Sequence, residues 1–129
     1  MVSNEFSSNP SSIRTVPIDE VPPNWYIMDI GEKSAHSFSD SLSQSKTIIW
    51  NGPMGVFEMP RFSRGTRTVA TAIASLTEAT TVVGGGSTAE AVEALGLMEQ
   101  MSHVSTGGGA SLEFLEGKDL PGISALPEA

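Results

Sequence analysis

Two runs of three glycines, each between an apolar segment and a helix-like segment, constrain the fold of this chain most. Thr80–Val83 precedes Gly84–Gly86, and Met101–Ser105 precedes Gly107–Gly109. Glycine allows positive φ and the close approach of a ligand, and the first turn of a following helix leaves backbone N–H groups unpaired. Each run therefore predicts a strand–turn–helix unit with an anion site. Two such turns on neighbouring parallel strands would bind a ligand with several negative charges, such as a polyphosphate or an acyl phosphate.

The glycine runs allow two other interpretations. In the first, the glycines only join strands tightly to helices, because short glycine motifs have many false positives. In the second, Gly84-x-Gly86-x-x-Ala89 is a dinucleotide-binding fingerprint, which requires an acidic residue at the end of the next strand. That strand ends at Ser105 and Thr106, and Glu99 lies before it. The pattern therefore disfavours a nicotinamide or flavin site.

Strand-like and helix-like segments alternate along the chain. Apolar spacing predicts four strands, at Trp25–Ile30, Lys46–Trp50, Thr80–Val83 and Met101–Ser105. Each is followed by a predicted helix, and these helices are Lys33–Ser45, Arg61–Leu76, Ser87–Leu95 and Ala110–Glu116. Ser87 and Glu90 fit a capping box at the start of the third helix. The order predicts an α/β fold, a three-layer partial parallel sheet with helices on both faces, Rossmann-like. Residues 1–15, rich in Ser and Asn, are expected to form a flexible or extended segment before a domain at 16–129.

The charge and residue composition exclude several kinds of function. The net charge of −8 disfavours nucleic acid or an anionic membrane as a partner. Because no apolar run has membrane-spanning length and no signal peptide is visible, we expect a cytoplasmic protein. Cysteines are absent, and the two histidines are too far apart in sequence to predict a metal site. We expect His36 on an exposed helix face and His103 packed in a core strand.

The loop after the second predicted strand completes the set of motifs. It reads Trp50-Asn51-Gly52-Pro53-Met54-Gly55-Val56-Phe57-Glu58 and lies at the carboxyl end of a strand, where parallel sheets bind ligands. This loop and both glycine runs resemble phosphoglycerate kinase, as do Arg64-Gly65-Thr66 and Leu112-Glu113-x-Leu115-Glu116-Gly117-Lys118. The resemblance extends from about Thr15 to Leu126.

The resemblance implies a reversible phosphoryl transfer from 1,3-bisphosphoglycerate to ADP, which gives 3-phosphoglycerate and ATP in glycolysis. Residues 16–129 would then be part of the nucleotide-binding domain, and the transfer would depend on positioning and charge stabilisation. Glu58 would bind the ribose hydroxyls and Asn51 would lie against the nucleotide. Its phosphates would lie along Gly85, Gly86, Ser87 and Thr88. The amides that bind the phosphoryl group during transfer would be those of Gly107, Gly108 and Gly109.

Two departures from the family limit these expectations. Ser87 stands where the family usually has an Asp that helps to bind the Mg²⁺ of the nucleotide, and a hydroxyl is a weaker ligand for that ion. The family's phosphoglycerate-binding domain and the first half of its nucleotide domain, with a phosphate-binding lysine, have no counterpart in this sequence. We therefore expect a carboxyl-terminal fragment that is inactive alone.

Such a fragment would have an unpaired sheet edge and exposed apolar side chains, and self-association is expected. The side chains expected to be exposed are those of Ile48, Trp50, Val82, Val83 and Val104. One alternative hypothesis is a non-catalytic module that binds nucleotide or complements a second chain. Another is an unrelated α/β nucleotide-binding protein with similar glycine turns.

Overall fold

Strands and α-helices alternate from residue 26 to residue 115 in the computed structural model, which describes residues 1–127. The strands are β1 (Val2–Ser3), β2 (Ile13–Arg14), β3 (Tyr26–Ile27), β4 (Thr47–Asn51), β5 (Thr80–Gly84) and β6 (His103–Ser105). The α-helices are α1 (Glu32–Leu42), α2 (Arg64–Ala74), α3 (Gly86–Ala94), α4 (Gly108–Leu115) and α5 (Pro121–Ser124). Short 3-10 helices lie at Ile18–Glu20, Pro60–Phe62 and Met98–Gln100.

The strands of the central sheet are parallel and lie in the order β4–β5–β6. Helix α2 connects β4 to β5 and helix α3 connects β5 to β6, and α1 packs beside α2. Parallel strands with right-handed crossovers place both connecting helices on one face of the sheet. The core lies between that face and the helices and contains Ile48, Trp50, Val69, Ala70, Ile73, Val83, Val92 and Met101.

The opposite face of the sheet is only partly covered. Ile49, Val82 and His103 line a groove of about 430 Å³ there, together with Leu112 and Leu115 of α4. The predicted Rossmann-like α/β sheet with flanking helices is therefore confirmed, with α2 and α3 on one face and α4 beside the other.

The burial of five side chains differs from the prediction. Ile48, Trp50 and Val83, expected to be exposed, are buried under α2 and α3, and Val104, also expected to be exposed, is partly buried against the same core. His103, expected to be packed, is exposed in the groove. These predictions were wrong because both crossover helices, α2 and α3, cover the same face of the sheet. That face carries Ile48, Trp50 and Val83, and His103 lies on the other face. His36 is exposed on α1, as predicted.

A second, small sheet precedes the central one. Its strands are antiparallel in the order β2–β1–β3. The segment Trp25–Ile30, predicted as a strand of the parallel sheet, instead contains the two-residue strand β3, which pairs with β1. Residues 1–15, expected to be flexible or extended, contain β1 and β2, and Val2 and Ser3 are buried. The Arg14 guanidinium lies 4.7 Å from the centre of the Trp25 ring, which adds a cation–π contact. The domain boundary at residue 15 stays a prediction.

Asp29 connects the small sheet to helix α2. Its carbonyl oxygen accepts a hydrogen bond from the Met1 ammonium at 2.7 Å. Its buried carboxylate accepts hydrogen bonds from the amides of Ile30 at 2.8 Å and Gly65 at 2.9 Å. Burial raises the pKa of Asp29 above its usual value, against the opposing effect of these hydrogen bonds.

Helix α3 begins one residue earlier than predicted. Gly85 is its N-cap, with φ of 90°, and no side chain caps the helix. The predicted capping box of Ser87 and Glu90 is therefore wrong, because Ser87 already lies within the first turn. Among the described residues, no helix is both long and apolar enough to cross a membrane.

Candidate functional site

The last residues of the three parallel strands lie side by side. Asn51 of β4 pairs with Gly84 of β5, and Gly84 pairs with Ser105 of β6. The loop after Asn51, the Gly84–Gly86 turn and the Thr106–Gly107 turn therefore start from one edge of the sheet. The structure thus brings together the three segments that the sequence predicted to converge.

The side chain of Asn51 contacts both glycine turns. Its Nδ2 donates to the carbonyl oxygen of Gly108 at 3.4 Å. A Cβ on Gly85 would lie 2.7 Å from Asn51 Oδ1, and a Cβ on Gly108 would lie 2.9 Å from the same atom. Glycine is required at both positions because any side chain would displace the Asn51 amide.

Thr88 is buried and connects two of the loops. Its Oγ1 accepts a hydrogen bond from the backbone amide of Gly52 at 2.7 Å. This bond joins the first turn of α3 to the loop after β4. The side chain of Thr88 therefore holds the loop in place, while its neighbours Gly86 and Ser87 are exposed.

Ser105 accepts hydrogen bonds from two backbone amides of the glycine turns. Its carbonyl oxygen accepts from the Gly85 amide at 3.0 Å, and its Oγ accepts from the Gly107 amide at 3.2 Å. Gly107 would have to release this hydroxyl before its amide could bind a phosphoryl group.

The first turns of α3 and α4 contain further amides. The first hydrogen bonds within these helices are donated by the amides of Ala89 and Ser111. The amides before them have no acceptor within the helix. Four of these amides belong to exposed residues, namely Gly86, Ser87, Gly109 and Ala110, whereas Gly108 is buried beside Gly85. The arrangement suits an anionic ligand at two adjacent helix N-termini.

Glu58 lies at the far end of the loop after β4, and its side chain is exposed. The hydrogen bonds of the described residues do not connect it to either glycine turn. The loop that carries Glu58 is fixed by three amides. Those of Met54 and Gly55 donate to Thr66 Oγ1, and that of Val56 donates to the Met28 carbonyl oxygen at 2.9 Å.

Sequence reasoning did not assign roles to Thr66, Asp29 or Ser105. Thr66 had a weak signal, since it belongs to the Arg64-Gly65-Thr66 motif, but nothing in that motif indicates that its hydroxyl faces the loop. Ser105 ends a strand next to glycines, where a hydroxyl can bond a local amide.

The described part of the chain contains no group of three or more His, Cys, Asp or Glu side chains that could bind a metal ion. Ser87 places an exposed hydroxyl on the first turn of α3.

Comparisons with known proteins identify the family. A family model described as phosphoglycerate kinase matches residues 1–118. The chain belongs to the phosphoglycerate kinase family. The match includes residues 1–15, so the family resemblance begins earlier than the Thr15 expected from the motifs. It also includes the loop after β4 and both glycine turns.

Several phosphoglycerate kinases are similar to this chain. The protein of Trichodesmium erythraeum (strain IMS101) is 52% identical over 128 residues, which are 99% of this chain and 32% of the relative. The phosphoglycerate kinase of Herpetosiphon aurantiacus is 52% identical over 126 residues, which are 98% of this chain and 32% of the relative. The chain thus spans about a third of the length of the curated relatives that it matches.

Solved phosphoglycerate kinase structures share the fold. The Coxiella burnetii structure superposes with a TM-score of 0.85 at 46% identity and covers 95% of this chain, and 31% of the Coxiella chain is matched. The Pyrococcus horikoshii structure superposes with a TM-score of 0.72 at 42% identity, and the match covers 79% of this chain and 25% of the Pyrococcus chain.

Proposed function

We propose that this chain provides the nucleotide-binding part of a phosphoglycerate kinase and binds ATP and ADP at the carboxyl edge of its parallel sheet. The observation that carries the proposal is the contact of Asn51 with Gly85 and Gly108, which joins two helix N-termini into one site. Such paired N-termini stabilise phosphate oxygens through backbone amides and helix dipoles.

Individual residues take separate roles in this proposal. The nucleotide phosphates lie along Gly85, Gly86, Ser87 and Thr88, with Gly85 and the buried Thr88 shaping the turn. The amides of Gly107, Gly108 and Gly109 stabilise the phosphoryl group during transfer. Asn51 lies against the nucleotide and Glu58 binds the ribose hydroxyls.

Mg²⁺ enters this site with the nucleotide. It neutralises phosphate charge when bound. Ser87 offers it a hydroxyl in place of a carboxylate, so the nucleotide phosphates and water supply most of its ligands. We therefore propose that Mg²⁺ strengthens nucleotide binding less in this chain than in a relative with Asp at this position.

The full reaction is phosphoryl transfer between 1,3-bisphosphoglycerate and ADP, and we propose that this chain alone does not catalyse it. The reason is its extent, since it matches 32% of the relatives' length. A non-catalytic nucleotide-binding or complementation module is the second candidate, and it predicts association with a chain that supplies the remaining part. We propose a cytoplasmic location, as for a glycolytic enzyme.

Amide NMR of the labelled chain tests the proposal. Addition of ADP, with and without Mg²⁺, is expected to shift the signals of Gly86, Ser87, Gly108 and Gly109. Adenosine serves as the control, since it lacks the phosphates and is expected to leave these four signals unchanged. Equal shifts with both ligands, or none with either, would contradict the proposal.

A coupled assay tests the activity and separates the two candidates. The chain alone is expected to give no ATP from 1,3-bisphosphoglycerate and ADP. Mixing it with a chain that contains the remaining part of a phosphoglycerate kinase is expected to restore turnover. Association without turnover would favour the non-catalytic module.

A further inference from the structure

The hydroxyl of Thr66 lies at the centre of the loop after β4. Thr66 is in the first turn of α2, and its side chain is buried. Its Oγ1 accepts two consecutive backbone amides of the loop, those of Met54 at 3.0 Å and Gly55 at 3.3 Å. One side chain thus uses both acceptor positions of its hydroxyl on this loop.

Asp29 adds a steric constraint to the same loop. A Cβ on either Gly55 or Gly65 would overlap the Asp29 carboxylate, so loop and helix approach this side chain closely. Side chains of α3 and α2 both anchor the loop, Thr88 through Gly52 and Thr66 through Met54 and Gly55. Of these two side chains, Thr66 is bonded to the part of the loop nearer to Glu58, beside the backbone bond from Val56 to Met28.

We propose that Thr66 is a positioning residue of the nucleotide site, which fixes the loop between Asn51 and Glu58 without contacting the ligand. The inference rests on the proposed function. If the Met54 and Gly55 amides lost their acceptor, the middle of the loop would be held less firmly, and the relative placement of Asn51 and Glu58 would be less well defined. Ligand contacts at both ends of a loop depend on such placement.

Three variants separate positioning from stability. Thr66→Val replaces the hydroxyl by a methyl group of similar size, and Thr66→Ser keeps the hydroxyl. Thr81→Val is the matched control, because Thr81 is equally buried and its Oγ1 accepts the Ser102 amide at 2.9 Å, near the amino end of the parallel sheet. Both valine variants are expected to lower the melting temperature.

Two readouts respond to the loop specifically. Hydrogen exchange of the Met54 and Gly55 amides reports on their acceptor. The indole N–H signal of Trp50 reports on the start of the loop, because Trp50 Nε1 donates to the Gly52 carbonyl oxygen at 2.7 Å. Titration with ADP and Mg²⁺ then measures the dissociation constant.

We expect Thr66→Val to accelerate exchange of both amides about tenfold, to shift the Trp50 indole signal and to weaken ADP binding about tenfold. Thr66→Ser is expected to stay within about twofold of wild type, and Thr81→Val to change neither loop signals nor ADP affinity. Unchanged exchange and affinity in Thr66→Val, or equal losses in Thr81→Val, would overturn the proposal.

Two further outcomes are also decisive. If wild type binds no ADP, the proposed function fails, while amide exchange still decides whether Thr66 positions the loop. If Thr66→Val does not fold, Thr66→Ala replaces it. Alanine and serine both lack the methyl group and differ only in the hydroxyl, so protected Met54 and Gly55 amides in both would refute the positioning role.

Discussion

Gly85 and Gly108 pack backbone against backbone, and a Cβ on Gly108 would lie only 2.7 Å from the Cα of Gly85. The same Cβ would lie 2.9 Å from the Gly85 nitrogen, whose amide donates to the Ser105 carbonyl oxygen. The two glycine turns are therefore in direct contact, and their spacing depends on the absence of one side chain.

Gly108→Ala is expected to destabilise the chain by about 1–3 kcal/mol, because the added methyl group overlaps backbone that cannot move freely. ADP affinity should fall as well, since the turns would separate. Urea unfolding and calorimetric titration measure the two effects. Gly109→Ala is the control, since a Cβ there meets nothing within 4 Å. Equal effects of the two substitutions would show that the turns tolerate separation.

Ser87→Asp is expected to strengthen Mg²⁺-dependent ADP binding roughly fivefold, because a carboxylate is a better ligand for this hard cation. A negative charge in the first turn of α3 should also stabilise the helix by about 0.3–1 kcal/mol. Calorimetry with ADP in the presence and absence of Mg²⁺ measures the binding. Ser87→Asn controls for size without charge, and the same gain in that variant would exclude a metal ligand at this position.

Asp29 gives a pH dependence of stability with a defined sign. Burial raises its pKa above the ordinary 3.8, so the folded chain binds this proton more tightly than the unfolded chain does. The stabilisation is complete below the ordinary pKa and is lost as pH rises through the raised one. The free energy of unfolding of the wild type, minus that of Asp29→Asn, should therefore decrease as pH rises from the ordinary pKa through the raised pKa. Above the raised pKa this difference should be constant. Urea unfolding of both proteins between about pH 3 and pH 7 tests this, and a difference that increases with pH would contradict it.

The isolated chain is expected to self-associate through the partly covered face of the sheet. Ile49 is 43% exposed there, and β4 is an edge strand of the parallel sheet in the described part of the chain. Ile49→Thr keeps a β-branched side chain but removes apolar surface, so it should shift the distribution toward monomer in size-exclusion chromatography with light scattering. Ile18→Thr is the control, because Ile18 is 81% exposed outside this face. A monomeric wild type would refute the prediction.

The helices and central strands were predictable because their apolar periods are clear. The helix predicted at Lys33–Ser45 is observed at Glu32–Leu42, and the strand predicted at Thr80–Val83 ends one residue later, at Gly84. The buried face of β4 was not predictable, since Ile48, Ile49 and Trp50 are consecutive apolar residues without alternation. The crossover helices select that face, and they are tertiary features.

The candidate site was predictable as a set of segments but not as a set of contacts. Adjacent glycines indicated a role for Thr88, yet its position in the first turn of α3 directs its hydroxyl to Gly52. Thr66 could not be assigned because its partners lie 11 and 12 positions away in an irregular loop. The small amino-terminal sheet was missed because strands of two residues are too short to show a period.

The hydrogen bond from Asn51 to Gly108 joins residues 57 positions apart in sequence. Closing so long a loop costs chain entropy before any contact is gained, and such pairings form slowly. During synthesis the loop after β4 emerges well before β6 and α4, so Asn51 cannot form its bond to Gly108 until those later segments have been made. The two helix N-termini should therefore come together late in folding, and a newly made chain should become able to bind phosphate only after β6 has joined the sheet.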